Sequence, residues 1–305
     1  MKIKFWGVRG SIPCPGPDTV KYGGNTPCIE LSFGGTDRCI IIDAGSGIRE
    51  LGNDLLARHQ HHPLRSVELF ITHTHWDHIQ GFPFFAPIYE PHMNIKIHGP
   101  ATYGSETLKD AVAGQLSYRY FPVRQAELAS KMVYTELNEG HFDLGDGIIL
   151  KTKYLNHPLL CLGYRFEYQN KSVCMVYDTE PFQNLFSTDP NAPVFNETIA
   201  NEGEQAVKDG KQSIIDFYSG ADILIHDAQY TQNEYESGKK GWGHSPIEGT
   251  IDEVKGTDVK RLVLFHHEPV RTDKQLDQLS KTFCRSDVKG NTTILFAREG
   301  MQLAI

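Results

Sequence analysis

The sequence predicts an α/β (α+β) fold in which two β-sheets pack together and helices cover their outer surfaces. Segments with the patterns of strands and helices come in mixed order, and each half of the chain contains a strand-rich stretch, which is typical of layered architectures. Linkers, low-complexity tracts and internal repeats are not apparent in the sequence. We therefore predict one domain over residues 1–305.

The composition is that of an ordinary globular protein, with 39% hydrophobic and 22% charged residues. Apolar runs fall short of the roughly 18 residues that a membrane span needs, and the N-terminus lacks the apolar core of a signal peptide. Six scattered cysteines without a Cys-x-x-Cys pair indicate buried thiols. We expect a cytoplasmic protein without a membrane partner, and the net charge of −8 argues against binding of long nucleic acid.

In the first half of the chain, apolar runs of strand length alternate with segments whose apolar residues recur at helical intervals. The strands predicted there are 2–8, 28–34, 38–42, 67–71, 95–98 and 131–137. Helices are predicted at 48–58, where Ile48, Leu51 and Leu55 share a face, and at 105–116. The first two strands flank a Gly/Pro-rich loop, and long loops in compact domains are often functional.

The second half continues the same mixture. Its predicted strands are 148–154, 161–168, 171–177, 222–225, 261–265 and 293–296. Residues 181–198 predict an irregular loop, followed by a polar helix at 199–219 and another helix at 273–284. The pair Ser245-Pro246 is typical of a helix start.

Residues 72–78 follow the apolar strand 67–71 and contain four potential metal ligands. In extended geometry alternate residues share a face, so His73 and His75 are expected to point the same way. Asp77 and His78 fall where the chain turns and address a second point in space. Imidazole and carboxylate together suit zinc, manganese or iron better than magnesium or calcium. This stretch therefore predicts a metal site.

Other apolar strands also end in residues of ligand type, namely His157, Asp178, Asp227 and His266. Strand ends that converge on one edge of a sheet would bring these groups into a single cleft with open coordination positions. Asp43, which ends the strand 38–42, has two interpretations that stay open. It is either a turn or helix-capping residue or a partner that orients a metal ligand.

The His-x-His-x-Asp-His pattern of residues 73–78, with its widely spaced later ligands, resembles that of the metallo-β-lactamase-fold hydrolases over essentially the whole chain. The resemblance implies a four-layer αβ/βα sandwich of two mixed β-sheets flanked by helices. It also implies two divalent metal ions at one edge, with zinc as the first choice and manganese or iron as alternatives. The implied ligands are His73, His75 and His157 for one ion, Asp77, His78 and His266 for the other, and Asp178 as a bridge.

Two later segments resemble the phosphodiesterase branch of this family. The segments 225–228 and 243–245 resemble the His-Glu-Ala-Thr and Gly-His-Ser-Thr motifs of tRNase Z and related phosphodiesterases, with Asp227 in place of Glu. Residues 5–11 and 23–27 resemble bacterial and phage members, including cyclic-nucleotide phosphodiesterases. A classical β-lactamase carries Cys at the position of Asp178, which argues against that activity.

We therefore predict a dinuclear metal-dependent phosphodiesterase that hydrolyses a small nucleotide-type phosphodiester, cyclic nucleotides first, by a metal-bridged hydroxide. Asp227 would orient His244 as the general acid for the leaving oxygen, and Asp77 would orient the nucleophile. The alternative for His244 is a surface-loop histidine. Asn25 and Thr26 are predicted to contact substrate, with a simple turn as the alternative. A homodimer is expected by analogy with the family.

Other functions stay open. A thioester or lactone hydrolase of the glyoxalase II or lactonase type would use the same ligands, and a non-catalytic nucleotide sensor is a further alternative. A tRNase Z-like RNA 3′-processing nuclease would need an RNA-binding arm, which in the family is Gly/Pro-rich and basic. Here residues 181–215 are acidic, with only Lys208 and Lys211 basic, and would repel an RNA backbone.

Overall fold

The computed structural model of the protein describes residues 1–60, 64–102, 104, 106–284 and 291–305. The strands, in chain order, are β1 (Lys2–Gly7), β2 (Cys28–Ser32), β3 (Cys39–Ile42), β4 (Ser66–Phe70), β5 (Asn94–Pro100), β6 (Lys131–Leu137), β7 (Gly140–Asp143), β8 (Ile149–Tyr154), β9 (Leu162–Tyr168), β10 (Lys171–Val176), β11 (Ile223–Asp227), β12 (Arg261–Phe265), β13 (Thr293–Phe296) and β14 (Gln302–Ala304). The α-helices are α1 (Ile48–Arg58), α2 (Trp76–Ile79), α3 (Leu108–Ala113), α4 (Glu197–Tyr218), α5 (Gln232–Glu236), α6 (Ile247–Val254) and α7 (Asp273–Phe283).

Within these residues the strands form two mixed sheets of seven strands each. The order is β14-β1-β2-β3-β4-β5-β6 in the first sheet and β13-β12-β11-β10-β9-β8-β7 in the second. Strands β3 to β6 are parallel to one another, as are β10 to β13. The remaining neighbours are antiparallel. The predicted fold class is confirmed.

The central strands are buried on both faces, which explains why they read as continuous apolar runs. In β3, Ile40 and Ile42 point into the core between the sheets, where they join Phe166 and Met175 of the second sheet. Ile41 points the opposite way, toward α1 and α3. On the far side of the second sheet a third apolar cluster contains side chains of α4, α6 and α7. The result is the expected four layers of helices, sheet, sheet and helices.

The parallel pairing of β10, β11 and β12 brings the polar residues that follow these strands to one edge of the second sheet. Val176 of β10 pairs with His226 of β11, and His226 in turn pairs with Leu264 of β12. Because parallel neighbours end at the same edge of a sheet, Asp178, Asp227 and His266 leave the second sheet side by side.

Three short elements were not predicted from the sequence, namely the edge strands β7 and β14 and the one-turn helix α5. Elements of three to five residues carry too few positions for a periodic pattern. The helix predicted at 105–116 is shorter than expected, because Thr107 caps its start and the helix gives way at Gly114. Among the described residues there is no helix with the length and apolar character that a membrane crossing requires.

His98 of β5 gives the fold a dependence on pH. Its ring stacks on Phe70, with the ring centroids 4.6 Å apart. Burial, aided by the charges of Lys96 and Arg38, lowers the pKa of His98 to about 4. An unfolded histidine titrates near about 6.5, so the unfolded chain binds the extra proton between these values. Above about pH 6.5 His98 is neutral in both states and does not reduce the free energy of unfolding. As the pH falls from there toward 4, the unfolded chain takes up a proton that the folded protein excludes, and the free energy of unfolding decreases.

We expect the metal-free protein to lose up to about 2 kcal/mol of unfolding free energy between pH 7 and pH 5 through this group. Urea unfolding at both pH values, with chelator present, measures the loss. The variant His98→Gln should show a correspondingly smaller pH dependence, whereas His141→Gln, which removes an exposed imidazole, serves as the control. Equal pH dependence in the parent and His98→Gln would contradict the assignment.

Candidate metal centre

The segment after β4 directs its four candidate metal ligands in two directions. His73 and His75 lie in extended chain that leads from the sheet, and His75 precedes the single turn of α2 with φ −61° and ψ 150°. Asp77 and His78 lie within that turn and are buried. This change of backbone geometry between His75 and Trp76 is what separates the two pairs.

The first pair belongs to a group formed by His73, His75, His157 and Asp178, whose potential ligand atoms all lie within 4.8 Å of one another. His157 Nε2 is 3.1 Å from His75 Nδ1, and His73 Nε2 is 3.4 Å from Asp178 Oδ2. The chain after β8 supplies His157, and the chain after β10 supplies Asp178.

The second pair belongs to a group of Asp77, His78, Asp178 and His266, again within 4.8 Å. His266 Nε2 lies 3.1 Å from Asp77 Oδ2 and 3.3 Å from His78 Nε2. His78 Nε2 is 3.3 Å from Asp178 Oδ2. The structure thus brings all seven predicted ligands together, in two groups that share Asp178.

The atoms of this cluster fit divalent cations. His73 Nε2 and Asp178 Oδ1 are buried and lack a hydrogen-bond partner among the described residues. A buried polar atom without a partner lowers the stability of the fold, and a bound cation would remove that penalty. In each group two ring nitrogens face one another at 3.1 to 3.3 Å, so both could bind the same ion. The donor set of imidazole nitrogen and carboxylate oxygen is the one that zinc, manganese and iron accept.

Electrostatics prepare both kinds of donor. Burial by itself would raise the pKa of Asp178, but the charges of His266 and His78 outweigh it and hold that pKa well below its usual range. Burial lowers the pKa of His73 well below its ordinary value. The carboxylate is therefore ionised and this imidazole is neutral, the states in which each can bind a cation.

Asp43 lies behind the cluster and contacts a candidate ligand. Its carboxylate accepts hydrogen bonds from Thr72 N at 2.7 Å and from the Thr72 hydroxyl at 2.9 Å. Asp43 Oδ2 lies 2.8 Å from His78 Nδ1, which leaves His78 Nε2 for the cluster. The N-cap of α1 is Gly47, so Asp43 does not cap that helix. Of the two interpretations of Asp43, the structure supports the orienting partner.

Two more candidate ligands are oriented in the same way. His266 Nδ1 lies 2.9 Å from Gln229 Oε1, and His157 Nδ1 lies 2.9 Å from the carbonyl oxygen of Gly243. Both acceptors select the tautomer in which Nδ1 carries the proton and Nε2 presents its lone pair. A Cβ at residue 243 would meet His157 Nδ1 at 2.5 Å, so only glycine permits this approach.

Asp227 and His244 form a buried pair beside the cluster. Asp227 Oδ2 lies 3.0 Å from His244 Nδ1 and accepts backbone hydrogen bonds from Ser245 and Thr179. The ring of His244 stacks on that of His266, with centroids 4.8 Å apart. Burial opposes protonation of His244, but Asp227 outweighs it and raises the pKa to about 9. His244 is 9% exposed, which excludes the alternative of a surface-loop histidine.

Asn25 and Thr26, the predicted substrate contacts, both bond to neighbouring protein groups. Thr26 is fully buried, and its hydroxyl bonds to Ser46 N at 2.8 Å and to Gln80 Nε2 at 3.1 Å. The Asn25 side chain lies between Ser46 and Glu299. These protein partners and its full burial leave Thr26 little access to a substrate, whereas Asn25 is half-buried, and the predicted substrate contact of this pair stays a prediction.

Three contacts at the site were not predicted. Gln229 orients His266, Ser11 donates its backbone N–H to Asp77 Oδ2 at 2.7 Å, and Glu180 binds the loop before His244. Gln229 and Glu180 each stand two residues after a strand-end carboxylate. That spacing is a weak signal that sequence inspection could have used.

Comparisons with known proteins agree with this geometry. The family model described as beta-lactamase superfamily domain matches residues 38–190, half of the chain. The ribonuclease Z of Lactococcus lactis subsp. lactis (strain IL1403) is 28% identical over 229 residues, which cover 67% of this chain and 71% of that protein.

Two solved structures share the fold. Human tRNase Z, short form, matches with a TM-score of 0.63 at 19% identity, covering 100% of this chain and 99% of that one. The metallo-β-lactamase fold protein YhfI from Bacillus subtilis matches with a TM-score of 0.63 at 17% identity, covering 99% and 98%. The chain belongs to the beta-lactamase superfamily, as a metal-dependent hydrolase with the metallo-β-lactamase fold.

Proposed function

We propose that the protein is a dinuclear metal-dependent phosphodiesterase that hydrolyses small nucleotide-type phosphodiesters, with cyclic nucleotides as the first candidates. The observation that carries this proposal is the Asp227–His244 pair. Its imidazole lies against the cluster, with ring centroids 4.8 Å from His266 and 5.6 Å from His157. A phosphodiester releases an alkoxide, which is a poor leaving group and needs a proton. A thioester releases a thiolate, which does not.

The two groups that share Asp178 would hold the cations. His73, His75 and His157 would bind one, and Asp77, His78 and His266 the other. Two divalent cations in such a site supply Lewis-acid activation of water and of the phosphoryl oxygens.

The remaining chemistry belongs to the side chains. His244 has its Nδ1 committed to Asp227, so its Nε2 is the atom that can hold and deliver a proton. The Asp227 carboxylate keeps the protonated form available. Asp77 Oδ2 accepts the Ser11 backbone N–H at 2.7 Å, which helps to fix the carboxylate and would let it orient an attacking water.

RNA 3′-end processing is the second candidate, because relatives of this chain carry the name ribonuclease Z and a ribonuclease cleaves phosphodiester bonds. The segment 181–218 favours the smaller substrate. It folds back on itself, since Asn184 bonds to the Ala200 carbonyl and a Cβ at Gly210 would meet the ring of Phe182. The carboxylates that the segment exposes would repel an RNA backbone. The homodimer and the choice of zinc over manganese or iron stay predictions.

A turnover screen of the zinc- and manganese-loaded protein tests the reaction class. We expect hydrolysis of bis-p-nitrophenyl phosphate and of 2′,3′- or 3′,5′-cyclic nucleotides, with loss of activity on chelation and recovery on adding back metal. Precursor tRNA and S-lactoylglutathione belong in the same screen. Cleavage of precursor tRNA alone would favour the second candidate, and hydrolysis of the thioester alone would contradict the proposal.

The role of His244 predicts a dependence on the leaving group. His244→Asn should slow hydrolysis of a cyclic nucleotide by about 10²- to 10⁴-fold, because the alkoxide then leaves unprotonated. Methyl p-nitrophenyl phosphate, whose nitrophenolate leaves readily, should be affected much less. Metal content by mass spectrometry controls for loss of the cations. Equal slowing of both substrates with full metal content would rule out proton donation by His244.

A further inference from the structure

The loop that leads into His244 carries an exposed tryptophan. Trp242 is 59% exposed and stands two residues before His244. A large aromatic ring in water next to a reaction centre has a solvation cost, and the proposed chemistry does not use it. The loop around it shows how firmly the ring is held.

Residues 239–242 form a tight turn. The backbone N–H of Trp242 donates to the carbonyl of Lys239 at 3.2 Å, and Gly241, the third residue of the turn, has a φ of +83°. A positive φ at this position favours glycine. The turn places the side chains of Lys239 and Trp242 beside each other.

The buried carboxylate of Glu180 fixes the turn from beneath. Glu180 Oε1 accepts the backbone N–H of Gly241 at 2.6 Å, and Oε2 accepts that of Gly243 at 2.9 Å. The hydroxyl of Tyr235 donates to Oε1 at 2.7 Å. Each backbone N–H from 241 to 243 is therefore hydrogen-bonded, and Trp242 lies between the two residues that Glu180 holds. The ring is presented by a loop that is ordered before any substrate arrives.

A chain of contacts connects this ring to the site of proton transfer. The Lys239 ammonium lies 3.9 Å from the centroid of the Trp242 ring and 5.3 Å from that of Tyr230. The Tyr230 ring in turn lies 6.1 Å from the ring of His244, nearly perpendicular to it at 76°. Contacts through Lys239 and the buried ring of Tyr230 thus connect the Trp242 ring to the ring of His244.

We propose that Trp242 is the platform on which the nucleobase of the substrate stacks, with Lys239 as the cation that attracts the anionic substrate. This inference rests on the proposed phosphodiesterase function. His244 would deliver its proton to the leaving oxygen, and the contacts through Lys239 and Tyr230 place the Trp242 ring on the side of His244 from which the nucleoside bonded to that oxygen would extend. Base–aromatic stacking tolerates every base because each base has a π face, so Trp242 gives affinity for nucleotides without selecting one base.

A matched pair of substrates isolates the stacking contribution. The 2′,3′-cyclic phosphate of adenosine and that of 1-O-methylriboside contain the same strained diester, with and without a base. Trp242→Leu keeps an apolar side chain but removes the π face, whereas Trp242→Phe keeps a smaller one. For Trp242→Leu we expect KM for the adenosine substrate to rise about 5- to 100-fold more than KM for the base-free substrate. Trp242→Phe should lie close to the parent.

An equal change in KM for both substrates in Trp242→Leu would overturn the assignment, as would equal behaviour of the Leu and Phe variants. Calorimetric titration of the metal-loaded parent and both variants with adenosine 5′-monophosphate gives a readout that does not need turnover. If the parent hydrolyses neither these two substrates nor the other phosphodiesters of the turnover screen, the phosphodiesterase proposal fails. The stacking platform then stands only if Trp242→Leu still weakens binding of this nucleotide by at least about 5-fold and Trp242→Phe does not.

Discussion

The buried carboxylate of Asp178 is the contact on which the rest of the site depends. Its Oδ2 lies 3.4 Å from His73 Nε2 and 3.3 Å from His78 Nε2, and its Oδ1 lies 3.4 Å from His266 Nε2. A buried ionised carboxylate needs partners that carry positive charge, donate hydrogen bonds or are metal ions. The fold meets that need because the first sheet supplies His73 and His78 while the second supplies His266. The two sheets are therefore joined at this edge by polar contacts, whereas the core between them is a large cluster of apolar side chains.

Two further carboxylates of the second sheet organise the loop that carries His244. Asp227 accepts the N–H of Ser245 and contacts His244 Nδ1, and Glu180 accepts the N–H groups of Gly241 and Gly243. Because both carboxylates come from the ends of adjacent strands, β11 and β10, the loop has little freedom relative to the cluster. The carbonyl of Gly243 then orients His157, so the same loop positions a candidate metal ligand, the proposed proton donor and the proposed stacking residue.

The predictions from sequence were best for strands and for the residues that follow them, and they missed contacts whose geometry depends on how loops pack. Central strands such as β3 are buried on both faces, so their apolar runs predicted the two sheets. The candidate ligands stand directly after strands, where parallel order dictates a common edge. Gln229 and Glu180 were missed because their partners come from loops whose paths depend on tertiary packing. The protein partners of Thr26, Ser46 and Gln80, were missed for a similar reason, since they depend on how the Gly/Pro-rich loop packs.

Anomalous X-ray scattering from crystals of the zinc- or manganese-loaded protein tests most directly whether Asp178 bridges two cations. We expect two anomalous peaks about 3.5–4 Å apart, one surrounded by His73, His75 and His157 and the other by Asp77, His78 and His266, with the Asp178 carboxylate between them. A single peak in the fully loaded protein, or two peaks of which only one contacts Asp178, would contradict a shared dinuclear centre.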